Sequence, residues 1–240
     1  MEKIKAISFD FWNTLYRDLK EVSYRERRLQ FLWETVRPYQ DCHMEQVIEA
    51  FTYTVEVCNR IWSEEYRTPI ARERLEMMLV RLAVKLPEEE LEELARWSSE
   101  LLYDYPPTLI EGVTEVLKAL APHYKLAVIS DTGFAPGRVL RELMRRNHIY
   151  EYFEVLTFSD EAGRSKPHES VFLRTTTSLG ISPQEMLHIG DLEVTDIAGA
   201  KAVGAKAVLF SDGLTETTRS KADFIIRSHL ELPDLLKQLE

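Results

Sequence analysis

Apolar positions divide this chain into two unlike stretches. Residues 4–9, Ile-Lys-Ala-Ile-Ser-Phe, are short, mostly apolar and end at Asp10, the pattern of a buried strand. From about Tyr16 to Tyr105 the apolar residues recur instead at steps of three and four. Leu29, Leu32, Trp33 and Val36 form one stripe, and Met44, Val47, Ile48, Phe51, Val55, Cys58 and Trp62 a second. Leu75, Met78, Leu79, Leu82 and Leu86 form a third. The fourth, Leu91, Leu94, Ala95, Ser98, Leu101, Leu102 and Tyr105, follows Pro87 and three glutamates, which suit a helix N-terminus. Four amphipathic helices with short joins predict a compact helical bundle.

Pro106-Pro107-Thr108 punctuates the chain, and helices then alternate with short apolar strands. Strands are predicted at Lys125–Ser130, 154–159, Met186–Gly190, Lys206–Phe210 and Phe224–Ile226. Between and after them, helices are predicted around Val113 to Leu120, Val139 to Met144, Val171 to Leu179, 197–203 and 232–239. That alternation implies an α/β fold, a doubly wound parallel sheet of Rossmann-like type covered on both faces. The first strand needs partners from beyond Pro107. The helical bundle therefore reads as an insertion: residues 1–16 and 107–240 form one α/β core, and residues 17–106 the inserted helical domain.

Composition narrows the field of partners. The chain has 240 residues, with 30 Lys+Arg against 40 Asp+Glu and a formal net charge of −10. Such a surface repels phosphate backbones and anionic lipid, so nucleic acid and membrane surfaces are poor partners. No apolar run approaches the roughly 20 residues of a membrane span. The sequence opens on Met-Glu-Lys-Ile-Lys without an export signal, and Cys42 and Cys58 have neither metal-ligand nor redox spacing. A cytoplasmic protein with reduced thiols is expected, as a monomer or homodimer.

In a doubly wound sheet, chemistry collects where the strands end. The residues ending the predicted strands are Asp10, Ser130-Asp131, Ser159-Asp160 with Lys166 following, and Gly190-Asp191 with Asp196 beyond. Any one of these could simply cap the next helix; their convergence on one edge argues for a site. Two carboxylates about 5 Å apart repel by roughly 3 kcal/mol at an effective dielectric of 20. If Asp10, Asp191 and Asp196 meet, one lysine compensates little, and a proton or a cation must supply the rest. Hard oxygen ligands with no nearby His or Cys favour magnesium over zinc. A magnesium-carboxylate site beside a Ser and a Lys is suited to holding a phosphate.

Four segments also match a known family. Ser8-Phe-Asp10-Phe-Trp12-Asn-Thr14-Leu15, Val128-Ile-Ser130-Asp131, Lys166-Pro167 with Val171-Phe172, and Ile189-Gly190-Asp191-Leu-Glu-Val-Thr-Asp196 stand in order, each at a strand end. With them the sequence resembles the haloacid dehalogenase superfamily, in the branch with a helical cap after the first motif. The resemblance implies that Asp10 is a nucleophile forming an aspartyl-enzyme intermediate. It implies that Ser130 and the surrounding backbone bind the transferred phosphoryl group and that Lys166 neutralises nucleophile and phosphate. Asp191 would hold magnesium together with Asp10 and the Trp12 carbonyl, with Asp196 acting behind it or through a water. Thr14 would order the loop, and Asp131 would position the substrate loop or cap the following helix.

One position departs from the family's phosphatases, which carry an acid two residues after the nucleophile. Trp12 stands there, and an indole is no acid near neutral pH. General acid–base help is worth about 10²–10⁴-fold. True dehalogenases also lack this acid, but they work without metal and replace the first acid of the fourth motif, which Asp191 keeps here. The resemblance thus implies a magnesium-dependent phosphatase acting on a small phosphorylated metabolite. Its alternatives are a metal-independent 2-haloacid dehalogenase and a catalytically weak binding or regulatory protein.

Several residues carry two readings each. Asp131-Thr132-Gly133 spells an aspartic-protease triplet, but that chemistry needs two facing carboxylates. His188 reads as a packed core residue, and His168 as a surface residue able to reach the crevice. Trp62, Tyr66 and Arg67 close the second helix and could face the crevice. Tyr24, Arg25, Arg27 and Arg28 open the first helix, either as an exposed face or as contacts for a substrate anion.

Overall fold

The structure is a computed structural model that describes residues 3–211 and 220–239. The chain opens with β1 (Ala6–Phe9) and a two-residue strand β2 (Tyr16–Arg17), then passes through four helices, α1 (Tyr24–Val36), α2 (Met44–Glu65), α3 (Ala71–Leu82) and α4 (Glu88–Asp104). It returns through β3 (Thr108–Leu109), α5 (Val113–Leu120), β4 (Lys125–Ser130), α6 (Gly137–Arg146) and β5 (Val155–Phe158). There follow α7 (Ser159–Ala162), α8 (Glu169–Leu179), β6 (Met186–Gly190), α9 (Ala198–Ala202), β7 (Lys206–Phe210), β8 (Phe224–Ile226) and α10 (Leu232–Lys237).

Six strands form one parallel sheet in the order β5-β4-β1-β6-β7-β8, with β1 inside it. Alternation along each strand separates two cores. Ile7, Phe9, Val128, Leu187, Ile189 and Val208 face the side covered by α5, α6 and α10. Ile129, Met186, Ala207 and Leu209 face the side covered by α8 and α9, where they meet Val171, Phe172, Ile197 and Ala200. Both faces are buried, which is why these strands read as near-continuous apolar runs. Among the described residues, no helix is long and apolar enough to cross a membrane.

The four helices keep a core of their own, built from Leu29, Leu32, Val36, Val47, Leu75, Met78, Leu79 and Leu94. Phe134, from the loop after β4, packs into that core from below. Where the chain leaves and re-enters the sheet domain, β2 and β3 pair antiparallel, Tyr16 opposite Leu109 and Arg17 opposite Thr108. The division at residues 16 and 17 read from the sequence cuts through this ribbon. Two residues per strand are too few for any periodic signal.

Candidate active site

Strand register assembles the site. β1 and β6 pair with Phe9 opposite Ile189, and Asp10 extends the ladder by donating its N–H to the Ile189 carbonyl at 2.8 Å. Asp10 therefore leaves the sheet beside Gly190 and Asp191. β6 then gives way to a wide π-type turn at Glu193–Ile197, which swings Asp196 back over the strand end. The Asp196 carboxylate accepts from the Leu192 N–H at 3.0 Å, while its own N–H donates to the Leu192 carbonyl at 2.9 Å. Position 190 must be glycine for this: a Cβ there would stand 2.2 Å from the Asp196 carboxyl carbon.

Lys166 lies between two of the acids. Its Nζ donates to Asp10 Oδ1 and to Asp196 Oδ1, each at 2.6 Å, and all three side chains are buried. Burial works against the charge on Lys166, but Asp10, Asp196 and Asp131 outweigh it and hold the ammonium protonated far beyond neutral pH. Burial also resists charge on Asp196, yet Lys166 and His188 keep it ionised, well below the ordinary carboxylate range. Asp10 is pushed the other way, up to about 7, by burial and then by the charges of Asp196 and Asp191 against the pull of Lys166. Burial and Asp196 raise Asp191 to about 6. Carboxylate oxygens of Asp10, Asp191 and Asp196 lie within 4.8 Å of one another. Hard oxygen donors this close, two of them resisting ionisation with one lysine as compensation, fit a small divalent cation.

Further residues orient this centre. The register sets Ser8 opposite His188, and the Ser8 hydroxyl lies 2.8 Å from His188 Nδ1. His188 Nε2 reaches Asp196 Oδ1 at 3.1 Å, and the ring meets Phe172 edge-on. His188 is thus buried as the sequence indicates, but the expectation that no histidine lies near the carboxylates is corrected. Both ring nitrogens already have partners, so His188 steadies Asp196 rather than offering a ligand. Asn13, in the left-handed region at φ 54, donates to Asp191 Oδ2 at 3.2 Å. Neither contact was assigned from the sequence. An asparagine in a strand-to-loop turn is a signal for positive φ, though not for its partner.

Asp131 does not cap the helix that follows. One of its oxygens accepts from the Lys166 backbone N–H at 2.9 Å, the other from the Trp62 indole at 2.9 Å, so it ties the lysine loop and α2 together. The N-terminus of α6 is served instead by Asp160, whose carboxylate accepts from the Gly137 N–H and takes no part in the acidic cluster. Ser130 is buried at the end of β4, its hydroxyl directed to the Asp131 carbonyl at 3.3 Å. Thr14 presents a buried hydroxyl without a protein partner among the described residues, while its carbonyl accepts from His229 Nε2 at 2.7 Å. Trp12 is half-buried against the Phe11 ring and forms one wall of a cavity of about 190 Å³ with Tyr24, Arg28, Leu102 and the loop 133–135. Tyr66 meets the ring of His168, whose Nδ1 accepts from the Ser170 N–H at the start of α8. Arg67 is held bidentate by Glu73 at 2.7 and 2.9 Å. Arg25 and Arg27 are exposed, and Arg28 turns inward.

Known proteins resemble this chain in sequence and in fold. The glyceraldehyde 3-phosphate phosphatase of Pyrococcus furiosus is 36% identical over 162 residues, 63% of this chain and 65% of that protein. The chain therefore matches just under two thirds of that relative's length. A phosphatase of the haloacid dehalogenase class from Thermococcus onnurineus superposes with a TM-score of 0.67 at 24% identity, covering 97% of this chain and 98% of its own. A 2-haloacid dehalogenase from Pseudomonas syringae pv. Tomato superposes with a TM-score of 0.75 at 20% identity, over 99% of this chain and 100% of its own. The last two share the fold and differ in reaction. A family of haloacid dehalogenase-like hydrolases matches residues 43–210, well over half of the sequence. With that match, with the parallel sheet and with the acids at its carboxyl edge, the chain belongs to the haloacid dehalogenase-like hydrolases.

Proposed function

We propose that this hydrolase is a magnesium-dependent phosphatase that cleaves a small phosphate monoester through an aspartyl-phosphate on Asp10. The observation that carries this reading is the trio Asp10, Asp191 and Asp196 with Lys166 as its compensating cation. A dehalogenase working without metal has no use for that surplus of buried negative charge, which costs several kcal/mol unless paired. Asp10, Asp191 and the Trp12 carbonyl would hold the ion, with Asp196 behind them, and the bound ion would supply positive charge against the phosphoryl oxygens.

The chain's own residues do the rest. Asp10 attacks phosphorus through a carboxylate oxygen, the bond from phosphorus to the leaving oxygen breaks, and Lys166 stays against the nucleophile while negative charge builds. Ser130 and the backbone at the end of β4 receive the transferred group. Water then attacks the phosphorus of the aspartyl-phosphate, releasing inorganic phosphate and restoring the Asp10 carboxylate. The helical block acts as a cap whose contact at Trp62 and Asp131 closes the site against solvent. Trp12 provides no ionisable proton for the leaving oxygen, so aryl and acyl phosphates should turn over faster than alkyl phosphates.

Trp12 also supports a second reading, halide release from a short 2-haloacid, because a departing halide needs no proton. One assay separates the two. p-Nitrophenyl phosphate is expected to release phosphate with magnesium and to stop with a chelator. Chloride release from 2-chloropropionate that ignores the chelator, with no phosphate release, would overturn the phosphatase reading.

A further inference from the structure

Several arginines of this protein have acidic partners. Arg67, Arg72, Arg138 and Arg141 are each paired with glutamates. Arg28 and Arg74 are not: among the described residues, each guanidinium makes a hydrogen bond only to a backbone carbonyl. Arg28 Nε donates to Ser98 O at 3.2 Å and Arg74 Nε to Pro69 O at 2.8 Å. Both are half-buried in a chain whose acids outnumber its bases, 40 to 30. Burial, then the neighbouring charge of Arg74, pushes Arg28 down to about 10, a proximity that a fold would ordinarily relieve with a carboxylate.

Both guanidiniums stand over the ring of Phe134, at 4.4 Å for Arg28 and 5.2 Å for Arg74. A ring face attracts the charge but leaves the Nη hydrogens without acceptors. Arg28 lines the 190 Å³ cavity described above, and Arg74 stands against its wall, 3.7 Å from where a Cβ on Gly133 would lie. The same cavity is walled by Trp12, two residues beyond the nucleophile, and by the loop that leaves the phosphate-binding end of β4. Asp18 also lines it, exposed at the rim, and is the one carboxylate whose charge reaches Arg28.

We propose that this cavity is a second anion site in which Arg28, backed by Arg74, binds a carboxylate on the leaving group, so that the substrate is a small phosphate monoester of a hydroxy acid. The assignment rests on the phosphatase reading for its reaction and on the two arginines for its specificity. Neither guanidinium is ion-paired with a carboxylate among the described residues, Asp18 and Glu73 acting on Arg28 and Arg74 only through their charge, so the cavity favours an anion. The planar fork of an arginine matches a carboxylate through paired N–H donors. A volume of about 190 Å³ suits a leaving group of a few carbons.

The test compares kcat/KM for 2-phosphoglycolate with that for 2-hydroxyethyl phosphate, which differ in the carboxylate. The native chain is expected to prefer the first by at least about tenfold, and Arg28→Met to lower that ratio by about 10–100-fold, mostly through KM. Arg28→Lys should recover part of it, and the readout is the ratio between the two esters, which a merely structural role over Phe134 would leave unmoved. Should Arg28→Met fail to fold in a thermal melt, Arg28→Lys and Arg74→Lys decide. A native enzyme indifferent to the carboxylate, or a ratio unmoved by these substitutions, overturns the proposal. Calorimetric titration of Asp10→Asn with 2-phosphoglycolate reads the cavity without turnover. If neither ester is hydrolysed, the phosphatase reading falls. The anion site then stands if Arg28→Met weakens that binding at least about tenfold, and falls if it does not.

Discussion

The carboxyl edge of the sheet and the cavity beneath the helices carry opposite charge and are built by opposite means. At the sheet edge Asp10, Asp191 and Asp196 crowd one lysine, and backbone fixes much of the arrangement: the β1–β6 register, the Asp10 N–H on Ile189, the Leu192 N–H on Asp196. At the cavity Arg28 lines the wall with Arg74 behind it, and these long side chains from α1 and α3 come together over a phenylalanine. Groups set by strand register cannot drift without dismantling the sheet. Groups on flexible stems from helices can be exchanged one at a time. On the proposed function, reaction would be built into the first region and selection into the second.

Substitutions should grade accordingly. The largest effect is expected from Asp10→Asn, which removes the proposed nucleophile and should cut kcat by at least about 10³-fold while the circular dichroism spectrum is retained. Substantial turnover in that variant would move the chemistry elsewhere. Lys166→Met leaves Asp10 and Asp196 facing each other without their cation. It should cost on the order of 3 kcal/mol of stability, read as a shifted urea midpoint, with added magnesium restoring part of the loss. A variant as stable as the parent would mean that the acids need no cation at all.

Trp62→Phe keeps the ring and deletes the hydrogen bond to Asp131. The expected loss is about 1 kcal/mol, appearing in kcat as well as KM, because it weakens both the grip of the helices on the core and the support of the Lys166 loop. The smallest effect lies furthest from the acids. His229 is buried against Phe210, and burial lowers its pKa below the ordinary 6.5. The neutral ring is the folded form, so its contribution is complete above pH 6.5 and declines as pH falls through the folded-state value. Between pH 7.5 and 5.5, His229→Gln should lose less stability than the parent, read from urea midpoints at the two pH values. Equal pH slopes would show that His229 does not titrate differently on unfolding.

The same contrast governs what could be read in the sequence. The strands that carry Asp10, Ser130 and Asp191 are legible because burial on both faces imposes continuous apolar runs ending in polar residues. The four helices are legible from their stripes. Strands β2 and β3 are not, being two residues each. The destination of a polar side chain is harder still. Asp131 and Asp160 follow β4 and β5 by one and two residues, yet Asp160 serves a helix N-terminus while Asp131 joins the lysine loop to α2. Arg25, Arg27 and Arg28 are equivalent in composition. Only the angular position around α1 turns Arg28 towards Phe134, and that depends on how the helix docks. The wide turn at Glu193–Ile197 is likewise invisible to a 3.6-residue period, although it brings Asp196 to Lys166.

One carboxylate links the helices to the sheet edge. Asp131 spends one oxygen on Trp62 and the other on the backbone of Lys166. Any swing of the helices that parts the indole from Asp131 strips this acid of half its support and slackens the segment that carries the ammonium. Loading and unloading the crevice would then be geared to the readiness of the reacting groups, with a single side chain as the tooth between them.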